Sequence, residues 1–241
     1  MNALDQIFVD MGIHKNPRLL KEEYASRINV SRVDQNKLKQ YQKLLFEISR
    51  AHTKLVKYNI YFDHFYPATD QIQKCEALEH HIHAYLQDLV ILKNKITCFL
   101  GILKHDLMKV AANHKEVEEA LTFLTKQVQN TFKEVSAYRN PHHHSGPRFV
   151  DSDLVDSQTA HTLLRKDHFL RDKFVPEFLE ELRYQEVESF EKARKRWVGI
   201  AHKNNEQISG LVNEVFERTK DWLYQFLEMR PVKEIIAQNS N

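Results

Sequence analysis

Apolar residues recur every three or four positions over long stretches of this chain, which is the spacing of one face of an α-helix. One such stretch runs from Ile72 to Leu107, about ten turns, and another runs from Phe178 to Phe226. Only five glycines and six prolines occur in 241 residues, so few positions would interrupt a helix. No segment has the alternating pattern of a β-strand. The sequence therefore predicts an all-α protein.

Residues that begin or end helices lie between the apolar stretches. Asp34 and Asn113 are expected N-caps, Pro67 ends the first long helix, and Pro176 suits the first turn of the last one. A shorter helix is expected over residues 153–172. Long helices joined by short connections need antiparallel neighbours, so we expect an antiparallel bundle of long helices.

The chain is expected to have three segments. Residues 1–66 form an N-terminal helical region packed on or extending the bundle, residues 67–230 form the main helical domain, and residues 231–241 form a C-terminal tail. Cys75 and Cys98 lie in one predicted helix, about 35 Å apart, too far for a disulfide. The most apolar stretch contains several charges, which excludes a membrane span, so we expect a cytoplasmic protein.

A dense polar cluster, expected as a loop between the third and fourth main helices, carries the residue types of phosphate chemistry. It reads Arg139-Asn140-Pro141-His142-His143-His144. An arginine offers a planar cation suited to a phosphate, and a histidine exchanges protons near neutral pH. Pro141 and the nearby Gly146 predict a bent backbone that lets these side chains converge.

The cluster resembles the R-x4-6-H signature of the HEPN superfamily (higher eukaryotes and prokaryotes nucleotide-binding), in which a polar residue follows the arginine. The flanks fit, since a long helix precedes the cluster and an acidic capping segment at residues 151–153 follows it. The resemblance covers residues 70–225. It departs from the usual pattern in its extra histidines and in the internal proline.

The resemblance implies a helical bundle that forms a homodimer, with two copies of the motif facing each other in one cleft. Many such proteins are metal-independent endoribonucleases of toxin–antitoxin or phage-defence systems, and others only bind nucleotides or RNA. Carried over to this chain, Arg139 binds the phosphate, Asn140 orients the site, and His144 is the general acid/base, with His143 as the alternative. No metal or cofactor is implied, the partners are RNA or a nucleotide, and an antitoxin or another protein can be a further partner.

Two further hypotheses follow from the residues. A non-catalytic helical module could use the same cluster to bind a nucleotide, RNA or a protein. Alternatively, His80 and His83, which share a helix face, could join residues 142–144 in a metal site. In an intermediate interpretation, one of Glu79, His83 and Asp88 contacts the Arg139 cluster and supports it as a neighbouring polar side chain.

A basic run beside a tryptophan is the second candidate for RNA contact. Lys192, Arg194, Lys195 and Arg196 could follow an RNA backbone while Trp197 stacks on a base. The same run is also what a solvated helix face looks like. The sequence leaves these two interpretations open.

Overall fold

The computed structural model describes residues 2–28, 33–66, 72–110, 113–133 and 151–237. Within these ranges every regular element is a helix, which confirms the all-α class. The α-helices are α1 (Ala3–Lys15), α2 (Glu22–Ala25), α3 (Gln35–Val56), α4 (Tyr58–His64), α5 (Lys74–Leu107), α6 (His114–Thr131), α7 (Ser152–Leu164), α8 (Pro176–Phe226) and α9 (Val232–Ala237). Among the described residues, no helix combines the length and the apolarity needed to cross a membrane.

The expected helix starts are confirmed by side-chain hydrogen bonds. Asp34 Oδ1 accepts the backbone N–H of Lys37 at 3.1 Å, ahead of α3. Asn113 Oδ1 accepts the backbone N–H of Glu116 at 3.4 Å, which caps α6. Pro176 is the first residue of α8, where its missing N–H costs no hydrogen bond. These starts depend on contacts within one helical turn, and that is why the sequence predicts them.

Two helices end earlier than the apolar pattern indicates. The first long stripe is interrupted at Lys57, whose N–H bonds to the Lys54 carbonyl at 3.2 Å in a tightened turn. The helix expected to reach residue 172 ends at Leu164, where Arg165 leaves the helical conformation and binds Asp167. Neither break has a glycine or proline at it, so local sequence does not mark them.

The chain divides into two compact units, each discontinuous in sequence. Unit 1 comprises Met1–Thr53, Ile91–Phe132 and Gln207–Asn241, and unit 2 comprises Lys54–Val90 and Lys133–Glu206. Helices α3, α5 and α8 contribute residues to both units. The contiguous division expected from the sequence stays a prediction.

In unit 1, α3 runs antiparallel to the second half of α5. Lys37 near the start of α3 bonds to Asp106 at 2.7 Å, and farther along α3 Glu47 bonds to Lys95 at 2.6 Å. The buried Tyr41 ring lies edge-on to Phe99, with 6.2 Å between ring centroids. These contacts align the apolar faces of the two helices around a common core.

The C-terminal segment of unit 1 is folded where a tail is expected. Residues 232–237 form α9, with Val232 and Ile235 buried. The Val232 N–H donates to Asp10 at 3.3 Å, and Arg27 donates to the Ile235 carbonyl at 3.2 Å. Asp10 also accepts the Tyr224 hydroxyl at 2.6 Å. Hydrogen bonds to Asp10 of α1 and from Arg27 therefore hold this short helix, which its own sequence does not predict.

An aromatic cluster forms the core of unit 2. Tyr58 and Phe62 of α4 pack on Tyr85 of α5 at centroid distances of 5.1 and 5.6 Å, and Phe62 also meets Trp197 of α8 at 6.1 Å. The Tyr58 hydroxyl donates to Asp88, which lies 8% exposed and also binds Lys54 at 2.7 Å. This cluster joins three helices of unit 2 and positions the residues described next.

Candidate functional site

The motif residues Arg139, Asn140, His143 and His144 lie outside the described residues, so their predicted roles stay predictions. The described chain resumes at Asp151, seven positions after His144. What surrounds Asp151 is therefore the described structure that lies nearest in sequence to the motif on its C-terminal side.

Asp151 binds two helices of unit 2 through one buried carboxylate. Its Oδ1 accepts the backbone N–H groups of Asp153 and Leu154 at 3.1 and 3.3 Å, which confirms the predicted cap of α7. Its Oδ2 accepts the indole N–H of Trp197 at 2.8 Å, and Arg196 also donates to this carboxylate. Only 7% of Asp151 is exposed. The start of α7 is thus anchored directly to α8.

A small recess lies where α7 begins against α5. Its lining residues are Glu79, Ile82, His83, Asp151, Leu154, Val155 and Gln158. Gln158 Nε2 donates to Glu79 at 3.1 Å, and the other Glu79 oxygen lies 3.7 Å from His83 Nε2. The free volume is about 20 Å³, enough for one water molecule. The recess therefore places the His83 imidazole and the Glu79 carboxylate beside Asp151 at the start of α7.

Of the three side chains proposed to support the motif, two line this recess and one does not. Glu79 and His83 are the two that do. Asp88 instead accepts the Tyr58 hydroxyl and pairs with Lys54 inside the aromatic cluster. Its carboxylate is thus committed to the core of unit 2, and we no longer consider it a supporting residue.

The basic run on α8 is largely paired with carboxylates. The ion pairs are Lys192 with Glu188 at 3.1 Å, Arg194 with Glu191 at 2.6 Å and with Asp63, and Arg196 with Asp153 at 2.6 Å and with Asp151. Hydrogen bonding to Glu188 raises the pKa of Lys192. Lys195 is exposed, and no ion pair to it exists in the described part of the chain. RNA contact by this run stays a prediction, and it would require Arg194 and Arg196 to exchange carboxylates for phosphates.

Trp197 cannot stack on a base in this conformation. The side chain is 2% exposed, packs on Phe62, and donates its indole N–H to Asp151. Trp197 is therefore a core residue of unit 2, as its place in the apolar stripe of α8 indicates, and base stacking by this side chain is not what the structure shows. The reason is its position on α8, where the buried face of the helix also carries Ala193 and Ala201.

A histidine–carboxylate pair that the sequence did not indicate joins α7 to α8. His161 Nδ1 lies 2.7 Å from Glu186 Oε1, with the two side chains 34% and 32% exposed. Ser157, one turn earlier on α7, donates its hydroxyl to the Glu186 carbonyl at 2.9 Å. A carboxylate on one ring nitrogen orients an imidazole for proton exchange at the other. Because the partners are on different helices, no local motif reveals the pair.

The histidines of α5 do not gather into a metal site within the described residues. No group of three or more His, Cys, Asp or Glu side chains there could hold a metal ion. His81 bonds to the Phe65 carbonyl at 2.9 Å and stacks on Tyr61, and His83 faces Glu79. A metal site completed by residues 142–144 remains an untested alternative.

No protein-family model, curated protein or solved structure matches this chain. The likeness to the HEPN superfamily is carried by residues 139–144 and by the all-α class. Of these two, the described residues confirm the all-α class.

Proposed function

We propose that the protein is an HEPN-like, metal-independent endoribonuclease. The observation that carries the proposal is the order of residues 139–144, in which arginine comes first, asparagine is next to it, and histidine follows five positions after the arginine. This order matches phosphate chemistry better than metal binding, because one cation and one proton carrier are what RNA cleavage requires.

The reaction uses the 2′-hydroxyl of the RNA as the nucleophile. His144, or His143 in the alternative register, accepts the proton of that hydroxyl while its oxygen attacks the adjacent phosphorus. The phosphorus–O5′ bond breaks and O5′ takes up a proton from water, leaving a 2′,3′-cyclic phosphate and a 5′-hydroxyl, while the protonated histidine returns its proton to the solvent. Arg139 stabilises the charge on the phosphorane, and Asn140 orients the reacting groups.

The surroundings of Asp151 support the proposal. A catalytic segment needs a rigid attachment, because small displacements of reacting groups cost much of the rate. Asp151 provides such an attachment seven positions from His144, through bonds to α7 and to Trp197. Glu79 and His83 line a recess together with Asp151, and they are the two side chains that we propose support the motif.

In this proposal the active form is a homodimer whose two motifs share one cleft, with RNA as the substrate. A toxin or phage-defence effector is the corresponding biological role, and an antitoxin or another protein is then a further partner. These features follow from the resemblance, and each requires its own test. If the site is shared between two subunits, mixing two inactive variants should restore activity, provided that each variant keeps the residue that the other lacks.

The decisive experiment is RNA cleavage in EDTA. Wild-type protein is expected to cut a single-stranded RNA to 2′,3′-cyclic phosphate ends, and an RNA with one 2′-deoxynucleotide at the cut position should resist cleavage there. Arg139→Ala and His144→Ala are expected to lower the rate by about a hundredfold or more. Arg183→Ala and His202→Ala are matched controls at exposed positions on α8 and should cleave normally.

Variants of the three histidines assign the working residue. If His144→Ala is active and His143→Ala is not, the register shifts by one position and the mechanism is unchanged. Equal cleavage by wild type, Arg139→Ala and all three histidine variants would refute the ribonuclease. RNA binding without cleavage in every protein would instead favour the non-catalytic binding module.

A further inference from the structure

A wide groove runs between α6 and the C-terminal part of α8 in unit 1. Its volume is about 980 Å³. Its lining includes Phe123 and Leu124 of α6 and Arg218, Asp221 and Trp222 of α8. The α6 side extends over residues 113–124, about 16 Å along a helix axis. The groove is thus as long as three helical turns.

The groove has an apolar floor and acidic edges. Ala120 and the buried Leu124 belong to its floor, and Phe123 leaves 54% of its surface exposed. The four carboxylates in its lining come from both helices and outnumber the two lining cations; they are Glu116, Glu119, Glu217 and Asp221. Glu119 lies 3.9 Å from Lys115 and Glu217 pairs with Lys220, whereas no cation among the described residues pairs with Glu116 or Asp221. An apolar strip between carboxylates complements a helix with one apolar face and basic residues beside it.

An internal contact shows how the groove accommodates a cation. The Arg218 guanidinium lies over the Phe123 ring, 5.8 Å from its centroid, and bonds to Glu214 at 3.0 Å. Aromatic ring and carboxylate together stabilise this charge. Asp221 and the half-buried Trp222 offer the same pair of groups on the α8 side, and in the described part of the chain no cation pairs with Asp221.

We propose that this groove binds a basic amphipathic helix from a partner protein. Apolar residues of that helix contact Phe123, Leu124 and Trp222, while its lysines or arginines meet Glu119 and Asp221. The surface lies in unit 1 and uses none of residues 139–144, so the proposal is independent of the ribonuclease activity. A tenfold change in affinity corresponds to 1.4 kcal/mol, within reach of two partly screened ion pairs.

The test uses the full-length protein and a fluorescein-labelled peptide of about 14 residues, with leucine on one helical face and lysine on the other. A peptide in which glutamate replaces every lysine is the charge control. We expect binding of the lysine peptide to raise the fluorescein anisotropy and to shift the emission of Trp222. The affinity should fall as the salt concentration rises. The emission change should disappear in Trp222→Phe, since Trp197 is buried in unit 2.

Matched double variants locate the binding. Glu119→Gln with Asp221→Asn should weaken the lysine peptide about tenfold. Glu180→Gln with Glu181→Gln removes the same charge from exposed positions on α8 in unit 2 and should leave affinity within about twofold. Circular dichroism of both variants checks that folding is retained.

Three outcomes would overturn the proposal. The first is that both double variants weaken binding of the lysine peptide equally, which would mean that the peptide responds only to the net charge of the protein. The second is equal binding of the glutamate peptide. The third is self-association of the chain that the groove variant abolishes, which would make a second copy the occupant.

Discussion

Asp151→Ala should destabilise unit 2 by more than removal of the neighbouring carboxylate of Asp153. The substitution deletes the cap of α7, the acceptor of the Trp197 indole N–H, and one anion beside Arg196. Trp197 is 2% exposed, so water cannot replace the lost acceptor unless the core opens.

The magnitude follows from these three contacts. Losing an N-cap costs about 1 kcal/mol, and leaving a buried indole N–H without an acceptor costs about 1–3 kcal/mol. The Arg196 side chain is 43% exposed, so solvent screens its pair and the loss adds less than about 1 kcal/mol. Because one carboxylate makes all three contacts, the terms are not additive, and we expect about 3 kcal/mol in total. Asp151→Asn should cost less, since its amide oxygen still caps α7.

Urea denaturation in a Trp222→Phe background measures this effect, because the remaining Trp197 reports on unit 2 alone. Asp153→Ala is the matched control: Asp153 pairs with Arg196 at 2.6 Å but does not contact Trp197. Its cost should stay below about 1 kcal/mol. If Asp151→Ala is no less stable than Asp153→Ala, the anchoring role assigned to Asp151 is wrong.

Three further predictions concern titration and thiol chemistry. Burial alone would raise the pKa of Asp106, but hydrogen bonds from Lys37 and a tyrosine hydroxyl, together with the Lys37 charge, lower this pKa. The stability that the Asp106 carboxylate contributes is therefore present above pH about 4 and should be lost as the pH falls below that value. Acid denaturation should show a smaller loss in Lys37→Met than in the wild type. Burial raises the pKa of Tyr85 to about 12. The stability that its neutral hydroxyl contributes below pH about 10 should therefore be lost as the pH rises toward 12. If the wild type and Tyr85→Phe gave identical tyrosinate absorbance titrations, this assignment would be contradicted. A thiol reagent should react at once with the exposed Cys98. It should react with Cys75 only on unfolding, because Cys75 is buried and burial raises the pKa of its thiol. A fast reaction phase that remains in Cys98→Ser would exclude this assignment.

Local patterns predicted the helices well and their ends less well. The apolar periodicity of α5 and α8 and the caps at Asp34 and Asn113 depend on residues within one or two turns, and the structure confirms them. The breaks at Lys57 and Arg165 were not predicted, because neither has a breaking residue. Helix α9 was not predicted either, since contacts to Asp10 and Arg27 hold it.

The candidate site shows the same division. The order of residues 139–144 can be read directly, and it indicates phosphate chemistry without any structure. The pairing of the basic run can be read only in part. Glu188 and Glu191 lie within one helical turn of Lys192 and Arg194, but Asp151 is 45 positions from Arg196, and Asp63 is 131 positions from Arg194. Only the folded chain brings these distant carboxylates to the run.

By itself, then, the sequence determined that this chain is all-helical and where most helices begin. Those properties arise from neighbours within a few positions of one another. Only the tertiary structure decided that the Trp197 indole meets Asp151, that Asp151 holds α7 to α8, that His161 meets Glu186, and that α6 and α8 enclose an acidic groove. Each of these joins residues that are distant along the chain, and helix packing alone brings them together.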